Sequence, residues 1–183
     1  MHALMRKVGP NATDMLRADH TRVMMLFHRY KADARPATKK FVAAAISNAL
    51  LVHARLEEEI FYPAMRAAGS TLLDELEPEH QEMRTLIATL SGMEATDPQF
   101  DLTFMELMRS VIHHVADEET MLLTHAETVL ADRLGEIGAQ MAARRLELKG
   151  EIMGEKARQN PAGALLMAAG ALLAGLWLVR RRA

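Results

Sequence analysis

The sequence predicts an all-α protein: an up-down-up-down four-helix bundle with a C-terminal helical stalk and a single transmembrane helix. Before residue 150, apolar side chains recur at helical spacing, and no segment shows the alternation of a half-buried strand. Short connections between the predicted helices place consecutive helices side by side and antiparallel. A long uncharged run near the C-terminus supplies the predicted membrane span.

The composition fits one folded domain with an appendage. The chain has 183 residues, of which 50% are hydrophobic and 25% charged, enough for a sizeable core. The formal net charge is −2, so no basic field favours nucleic acid, and we expect no nucleic-acid partner. The absence of cysteine excludes disulfides and thiolate zinc sites.

The first two helices have recognisable start signals. Thr13 and Asp14 are good capping residues for the first helix, and Pro36 suits the first turn of the second. We expect Pro63 to kink or end the second helix. The predicted inward residues are Leu16, His20, Val23, Met24 and Phe27 on the first helix, and Val42, Ile46, Ala49, Leu50, His53, Glu57 and Ile60 on the second.

The third and fourth helices begin near prolines. We expect the third to start around Glu77 and Pro78, and the fourth at Asp97 and Pro98, a cap followed by a proline. The predicted inward residues are His80, Met83, Ile87 and Leu90 on the third helix, and Leu107, Val111, His114, Glu118, Met121 and His125 on the fourth.

The region after the fourth helix divides into a stalk and an anchor. Residues 126–160 can be the end of the fourth helix with a connecting stalk, or a separate fifth helix. The predicted domains are an N-terminal extension at 1–11, the bundle at 12–130, the stalk at 131–160 and the transmembrane helix at 161–180.

The uncharged run from Ala162 to Val179 has the length of a short membrane span, since its helix would rise about 27 Å. Trp177 and the arginines that follow are typical of a membrane boundary; a core helix or a tail packed on a partner are the alternatives. We expect a single-pass C-terminal anchor with the bundle in the cytoplasm, because the N-terminus shows no leader. Small residues at Gly170 and Ala174 could pair two anchors in a homodimer.

One short pattern occurs twice in the bundle. His53 precedes Glu57 by four residues, and His114 precedes Glu118 by four, a spacing that stacks two side chains on one helix face. Either pair alone would more commonly be a surface pair or a satisfied hydrogen bond. The repeat and the inward positions of the histidines favour a shared interior site.

Charge balance indicates that this interior site holds metal. Buried carboxylates are costly and repel each other, and neutral imidazoles cannot neutralise them. Imidazole and carboxylate without thiolate suit iron, manganese or zinc, and open positions suit oxygen chemistry at iron. We predict a dinuclear iron centre bridged by Glu57 and Glu118. Its predicted ligands are His20, His53, Glu57, His80, His114 and Glu118, with His113 as an alternative to His114.

These segments resemble motifs of the hemerythrin family, in particular its bacterial HHE cation-binding branch. The motifs are Leu16-Arg-Ala-Asp19-His20, the segment from His53 to Pro63, Glu79-His80, and His114-Val115-x-x-Glu118-Glu119, within a match of roughly residues 12–130. The resemblance implies an up-and-down four-helix bundle with two iron ions in a non-haem di-iron centre, and it assigns the ligand role to the same six residues.

The chain departs from oxygen-carrying hemerythrins on the third helix. Those proteins have two histidines four residues apart there, whereas Leu76 and Arg84 flank His80 here. One iron should therefore lack a protein nitrogen, unless Glu77 or a water replaces it. This difference leaves room for peroxide or nitric oxide chemistry.

Three functions are compatible with the sequence. The favoured one is a di-iron protein that binds dioxygen or a similar small ligand at a membrane, as a sensor, buffer or carrier. The alternatives are a di-iron enzyme acting on peroxide or nitric oxide, and a metal-free helical interaction module.

Overall fold

A computed structural model describes residues 9–159 of the chain. These residues form α-helices interrupted by two π-helical turns, and none of them lies in a strand, so the predicted all-α class is confirmed. The helices are α1 (Ala12–Arg29), α2 (Pro36–Leu56), α3 (Tyr62–Ala67), α4 (Leu73–Gly92), α5 (Phe100–Asp117), α6 (Leu123–Val129) and α7 (Leu134–Gln159). The turn π1 (Glu57–Phe61) joins α2 to α3, and the turn π2 (Glu118–Leu122) joins α5 to α6.

The chain divides into two compact units, Met1–Arg144 and Arg145–Ala183. The first unit contains α1 to α6 and the start of α7, together with every predicted ligand. The second unit is described only up to Gln159, where α7 ends. The domain boundaries predicted after residues 11, 130 and 160 stay predictions.

The first two helices start where the sequence indicated. Asn11 caps α1, and its side chain accepts a hydrogen bond from the Asp14 backbone N–H at 2.9 Å. Pro36 is the first residue of α2. Pro63 does not end the helical segment that begins with α2, because π1 and α3 continue it to Ala67. We call this segment the second arm of the bundle. Gly69 then closes the arm with a φ of 83°, a backbone conformation that favours glycine.

The next two helices start elsewhere than predicted. Helix α4 begins at Leu73, ahead of the expected start, so Pro78 lies inside it. Pro78 is the sixth residue of this helix and has no N–H, so α4 forms with one backbone hydrogen bond fewer there. Helix α5 begins at Phe100, after the Asp97 turn, in which the Asp97 side chain accepts a hydrogen bond from the Gln99 backbone N–H at 2.8 Å.

A separate fifth helix follows the bundle arms. Helix α6 ends at Val129, residues 130–133 form a turn, and α7 starts at Leu134. Within the first unit, Gly138 of α7 packs against the backbone before α1: a Cβ there would lie 2.7 Å from the carbonyl oxygen of Pro10. Arg144 Nε donates to Glu59 Oε2 at 2.6 Å, which ties α7 to π1.

The four arms of the bundle, which are α1, α2 with α3, α4, and α5 with α6, enclose an apolar core. Helix α1 contacts α2 and α6, α2 contacts α4, and α4 contacts α5. Phe27 and Phe104 meet edge to face, with ring centroids 5.8 Å apart, near the end of the bundle where Lys39 pairs with Asp101. Most of the predicted inward residues are buried in this core, and together they fix the faces that carry the candidate ligands.

The predicted membrane localisation is not supported and is corrected here. Among residues 9–159, no helix combines the length and the apolar character needed to cross a membrane. Helix α7, for example, carries Glu136, Arg144 and Glu151, and charged side chains are costly inside a bilayer. The predicted span at 161–180, with the pairing residues Gly170 and Ala174, lies outside the described residues.

Candidate metal centre

The six predicted ligands come together in the interior of the first unit. No one of them exposes more than 3% of its surface. They are His20 on α1, His53 on α2, Glu57 at the start of π1, His80 on α4, His114 on α5 and Glu118 at the start of π2. Repeated sequence motifs on separate arms thus converge on one buried cluster.

One half of the cluster is built around two histidines from adjacent helices. His20 Nε2 lies 3.3 Å from His53 Nε2 and 3.1 Å from Glu118 Oε2. His53 Nε2 lies 3.1 Å from Glu57 Oε1. One ligand atom from each of these four residues falls within 4.8 Å of the others, close enough to surround a single cation.

The other half repeats this arrangement with the second pair of histidines. His80 Nε2 lies 3.3 Å from His114 Nε2 and 3.1 Å from Glu57 Oε2. Glu57 therefore presents one oxygen to each half, the geometry of a bridging carboxylate. Glu118 Oε2 lies 3.9 Å from His114 Nε2 and closer to His20, so it leans toward the first half.

A carboxylate faces the outer nitrogen of every histidine in the cluster. The Nδ1 atoms of His20 and His114 lie 2.8 Å from Glu119 and Glu79, and that of His80 lies 3.0 Å from Glu58. The fourth contact, between His53 Nδ1 and Asp19 Oδ2, is longer at 3.7 Å. In each pair the acid and the histidine come from different elements, so the contacts also tie the bundle arms together.

These outer contacts determine what the inner nitrogens can do. A carboxylate accepts a hydrogen bond from Nδ1–H, so the neutral ring carries its lone pair on Nε2. The Nε2 atoms then face one another and four carboxylate oxygens of Glu57 and Glu118, for which no hydrogen-bond donor is found. Buried hydrogen-bond acceptors that face only other acceptors are unfavourable, because they lose water without gaining a donor. Metal cations placed among these nitrogens and oxygens would bind all of them, so the residues fit a metal centre.

The ionisation of the two inner acids is strongly perturbed. Burial, together with the charge of Glu57, raises the pKa of Glu118 against the opposing contact from His20. Burial would also raise the pKa of Glu57, but His53 and His80 outweigh it and hold the pKa well below its ordinary value. Burial lowers the pKa of His53, yet Glu57 and Asp19 leave it well above the ordinary value. Protons can thus occupy the cluster in place of cations, and the two compete.

Arg84 lies outside the inner cluster and pairs with one of the outer carboxylates. Its guanidinium donates to both oxygens of Glu58, at 2.6 and 2.5 Å. Burial would raise the pKa of Glu58, but the hydrogen bonds from Arg84 and His80 outweigh it and lower the pKa. Arg84 therefore stabilises the carboxylate that orients His80.

Each inner glutamate is the first residue of a π-helical turn. The carbonyl of Glu57 accepts from the Tyr62 N–H, and that of Glu118 accepts from the Leu123 N–H. The extra residue in such a turn advances the inward face by one position. Phe61 is accordingly buried where Ile60 was predicted, and Leu122 is buried while the predicted Met121 is 39% exposed. The inward placement of Met121 was wrong for this reason, whereas Ile60 is half-buried.

The third-helix position that lacks a histidine is filled by apolar packing. Leu76 is buried, and Glu77 pairs with Arg66 on the surface at 2.5 Å, so Glu77 does not replace the missing ligand. Tyr62 reaches the cluster instead: its hydroxyl lies 3.4 Å from His80 Nε2. Burial, with the charge of Glu57 next, raises the pKa of Tyr62, which keeps the phenol protonated.

Sequence reasoning missed Tyr62, Asp19 and Glu79 as parts of the site. The acids directly precede His20 and His80 in the sequence, a repeated Asp/Glu-His step that could have indicated them. Tyr62 had no such signal, because the π turn rotates it inward. The alternative at position 113 is also decided geometrically: the His113 side chain is 73% exposed and pairs with Asp117 at 3.3 Å.

The chain belongs to the hemerythrin HHE cation binding domain family, whose match covers residues 11–126. The resemblance drawn from the sequence is thereby confirmed, and this class of domain binds metal cations. The fold agrees with a crystal structure of a hemerythrin HHE cation binding domain-containing protein from Mycobacterium kansasii. That structure has a TM-score of 0.70 and 22% identity, over 83% of this chain and 94% of that one.

Two curated relatives are similar in sequence. A DNA nickase of Nostoc sp. is 31% identical over 117 residues, which are 63% of this chain but only 33% of the nickase. An uncharacterized protein of Mycobacterium tuberculosis is 28% identical over 144 residues, which are 76% of this chain and 88% of that protein. The chain thus spans a third of the nickase and most of the mycobacterial protein.

Proposed function

We propose that this protein holds two iron ions in a non-haem di-iron centre and binds dioxygen or a similar small molecule there, as a sensor, buffer or carrier. The observation that carries the proposal is the inward orientation of four histidine Nε2 atoms onto two buried carboxylates. Three of the imidazoles are held in that orientation by a carboxylate within 3.0 Å of the other nitrogen, and His53 faces Asp19 at 3.7 Å. This orientation serves no purpose in a packed apolar core.

The geometry supports two metal positions that share Glu57. His20 and His53 would hold the first ion with Glu57 Oε1 and Glu118, and His80 and His114 would hold the second with Glu57 Oε2. The first group offers four protein donors and the second offers three. The second position therefore has more room for an exogenous ligand, beside the Tyr62 hydroxyl.

Iron is proposed because the donors are imidazole nitrogen and carboxylate oxygen without thiolate, a set that iron, manganese and zinc accept. When bound, iron would supply the redox chemistry that dioxygen binding needs. The protein contributes fixed ligands and a dry surrounding. Leu50 and Val111, each one turn before an inner histidine, are buried, as is Phe61, and this wall limits the access of water and protons.

The up-down-up-down topology is part of the same proposal. The contacts of α1 with α2, α2 with α4 and α4 with α5 support it, as does the symmetric contribution of each arm to the cluster. The name of the Nostoc nickase adds no role here, because this chain covers only 33% of that protein.

A di-iron enzyme acting on peroxide or nitric oxide is the second candidate. The observation that favours it is Tyr62, a protonated phenol within 3.4 Å of His80 Nε2, where its O–H could donate a hydrogen bond to a reacting ligand. A metal-free interaction module is less compatible with the site, because two wholly buried carboxylates face histidine nitrogens there.

Optical spectroscopy of the reconstituted full chain tests the proposal. The protein is loaded with ferrous iron under argon, and near-ultraviolet spectra are recorded under argon, after air and after return to argon. A binding protein shows an air-dependent band that reverses. A steady rate of peroxide or nitric oxide loss above that of free iron would instead favour the enzyme. An iron-loaded protein with no response to any of the three ligands contradicts both.

A further inference from the structure

A second group of metal-binding side chains lies on the surface beside the buried centre. It consists of Glu79 on α4 with His113 and Asp117 on α5, and we call it the outer triad. One ligand atom from each residue falls within 4.8 Å of the others. The His113 side chain is 73% exposed and that of Asp117 is 35% exposed, so solvent ions can reach the group directly.

The outer triad is preorganised by the fold. His113 and Asp117 are four residues apart on one helix, and His113 Nε2 lies 3.3 Å from Asp117 Oδ2. Glu79 comes from the neighbouring helix and is held in place by His114 Nδ1 at 2.8 Å. Two helices thus present one imidazole nitrogen and carboxylate oxygens to a common point, with the third ligand fixed by a buried contact.

The charge of the outer triad is not balanced by a basic side chain. Among the described residues, the ion pairs of Glu79 and Asp117 are to histidines, and neither acid pairs with Lys or Arg. Other surface acids nearby differ, since Glu58 pairs with Arg84 and Glu59 with Arg144. Two carboxylates that pair with no Lys or Arg among the described residues therefore form a locally negative group that favours a cation.

We propose that the outer triad is a solvent-facing binding site for a divalent transition-metal ion, separate from the buried centre. One nitrogen and carboxylate oxygens suit zinc, manganese or ferrous iron, and the remaining positions are open to water. Three protein ligands and high exposure make this the weaker of the two sites. The alternative is that His113 and Asp117 form an ordinary surface ion pair.

Zinc titration calorimetry of the full chain tests this site. Wild type, His113→Ala and His28→Ala are compared at equal iron content; His28 is the matched control, an exposed histidine on α1. We expect wild type and His28→Ala to bind zinc at one site that His113→Ala loses or binds at least about 10-fold more weakly. Identical zinc isotherms for wild type and His113→Ala would overturn the proposal.

Nuclear magnetic resonance with manganese locates the site independently. Paramagnetic Mn²⁺ should broaden the amide signals around residues 79, 113 and 117 of wild type first, and Asp117→Asn should remove that broadening. Broadening centred elsewhere rejects the outer triad. The comparison does not depend on the buried centre: a protein that takes up no iron but shows the His113-dependent zinc site keeps this inference and rejects the proposed function.

Discussion

His20 Nε2 lies 3.3 Å from His53 Nε2, while each ring turns its Nδ1 toward a carboxylate. Where Nδ1 donates to its carboxylate, the neutral ring has only a lone pair on Nε2, so two such rings cannot hydrogen-bond to each other. His80 and His114 repeat the relationship at the same distance. The orientation is unfavourable unless protons or metal cations occupy the space between the rings, and this requirement connects the fold to the proposed function.

Replacing Glu57 should release metal, because this residue alone presents an oxygen to each half of the cluster. We expect Glu57→Gln to lose most bound iron and to lose the rise in melting temperature that iron gives to wild type. Metal analysis and thermal unfolding with and without iron check both effects. Glu59→Gln, in the same π turn but hydrogen-bonded to surface arginines, is the control and should keep its iron. Full iron content in Glu57→Gln would reject its bridging role.

The outer carboxylates should matter for metal affinity without touching the metal. Glu119 Oε1 lies 2.8 Å from His20 Nδ1, so Glu119→Ala frees the ring to turn. We expect about a 10- to 100-fold loss of iron affinity, measured by competition with a chelator. Glu82→Ala, an exposed acid on α4, should leave the affinity unchanged. Equal affinities for wild type and Glu119→Ala would show that the ring is held by packing instead.

The close approach of α7 to the start of α1 predicts an unequal pair of glycine substitutions. A Cβ on Gly138 would lie 2.7 Å from the Pro10 carbonyl oxygen and 2.8 Å from the Asn11 carbonyl carbon. Because backbone cannot yield as a side chain can, Gly138→Ala should lower the free energy of unfolding by about 1–3 kcal/mol. Gly135→Ala has open space and should change it by less than about 1 kcal/mol. Urea unfolding measures both, and equal effects would contradict the contact.

Asp101 should give the protein a stability that acid removes. Both of its oxygens accept from Lys39, at 2.8 and 2.9 Å, and Tyr30 donates to it as well. These hydrogen bonds, with that from Lys39 first, lower the pKa of Asp101. A lowered pKa in the folded state means that the stabilisation is complete above the unfolded pKa, near 4, and disappears as pH falls through the folded value.

Asp101→Asn measures this contribution. We expect it to lower the free energy of unfolding by about 1–2 kcal/mol near neutral pH, and the difference from wild type should shrink as the pH approaches about 3. Asp33→Asn, on the exposed turn after α1, serves as the control and should have no effect at either pH. A difference that stays constant with pH would show that the ionisation of Asp101 is not its source.

The sequence predicted that these six side chains lie together because its signals are local. The spacing of His53 to Glu57, and its repeat from His114, lie within single helices whose period is known in advance. Burial of these residues follows from the apolar residues on the same faces. Helix starts were predicted well at Pro36 and less well at Leu73, since Pro78 was taken as a boundary whereas the helix begins five residues before it.

The remaining features depend on packing between helices. The π turns at Glu57 and Glu118 shift the inward face by one residue. No shared sequence pattern predicts them, because Pro63 follows the first turn whereas Thr124 is at the corresponding position after the second. Tyr62 enters the site through that shift. The pairing of Asp19 with His53 and of Glu79 with His114 joins different helices, which a single-helix period cannot predict.

The number of iron ions bound by the full chain tests the central claim most directly. The purified protein is stripped with a chelator, reloaded with ferrous iron under argon, freed of excess metal, and analysed for iron per chain. The account predicts two irons per chain in wild type, since six buried ligands form two groups that share Glu57. A wild-type protein that folds with these histidines and glutamates buried but retains no iron would contradict it.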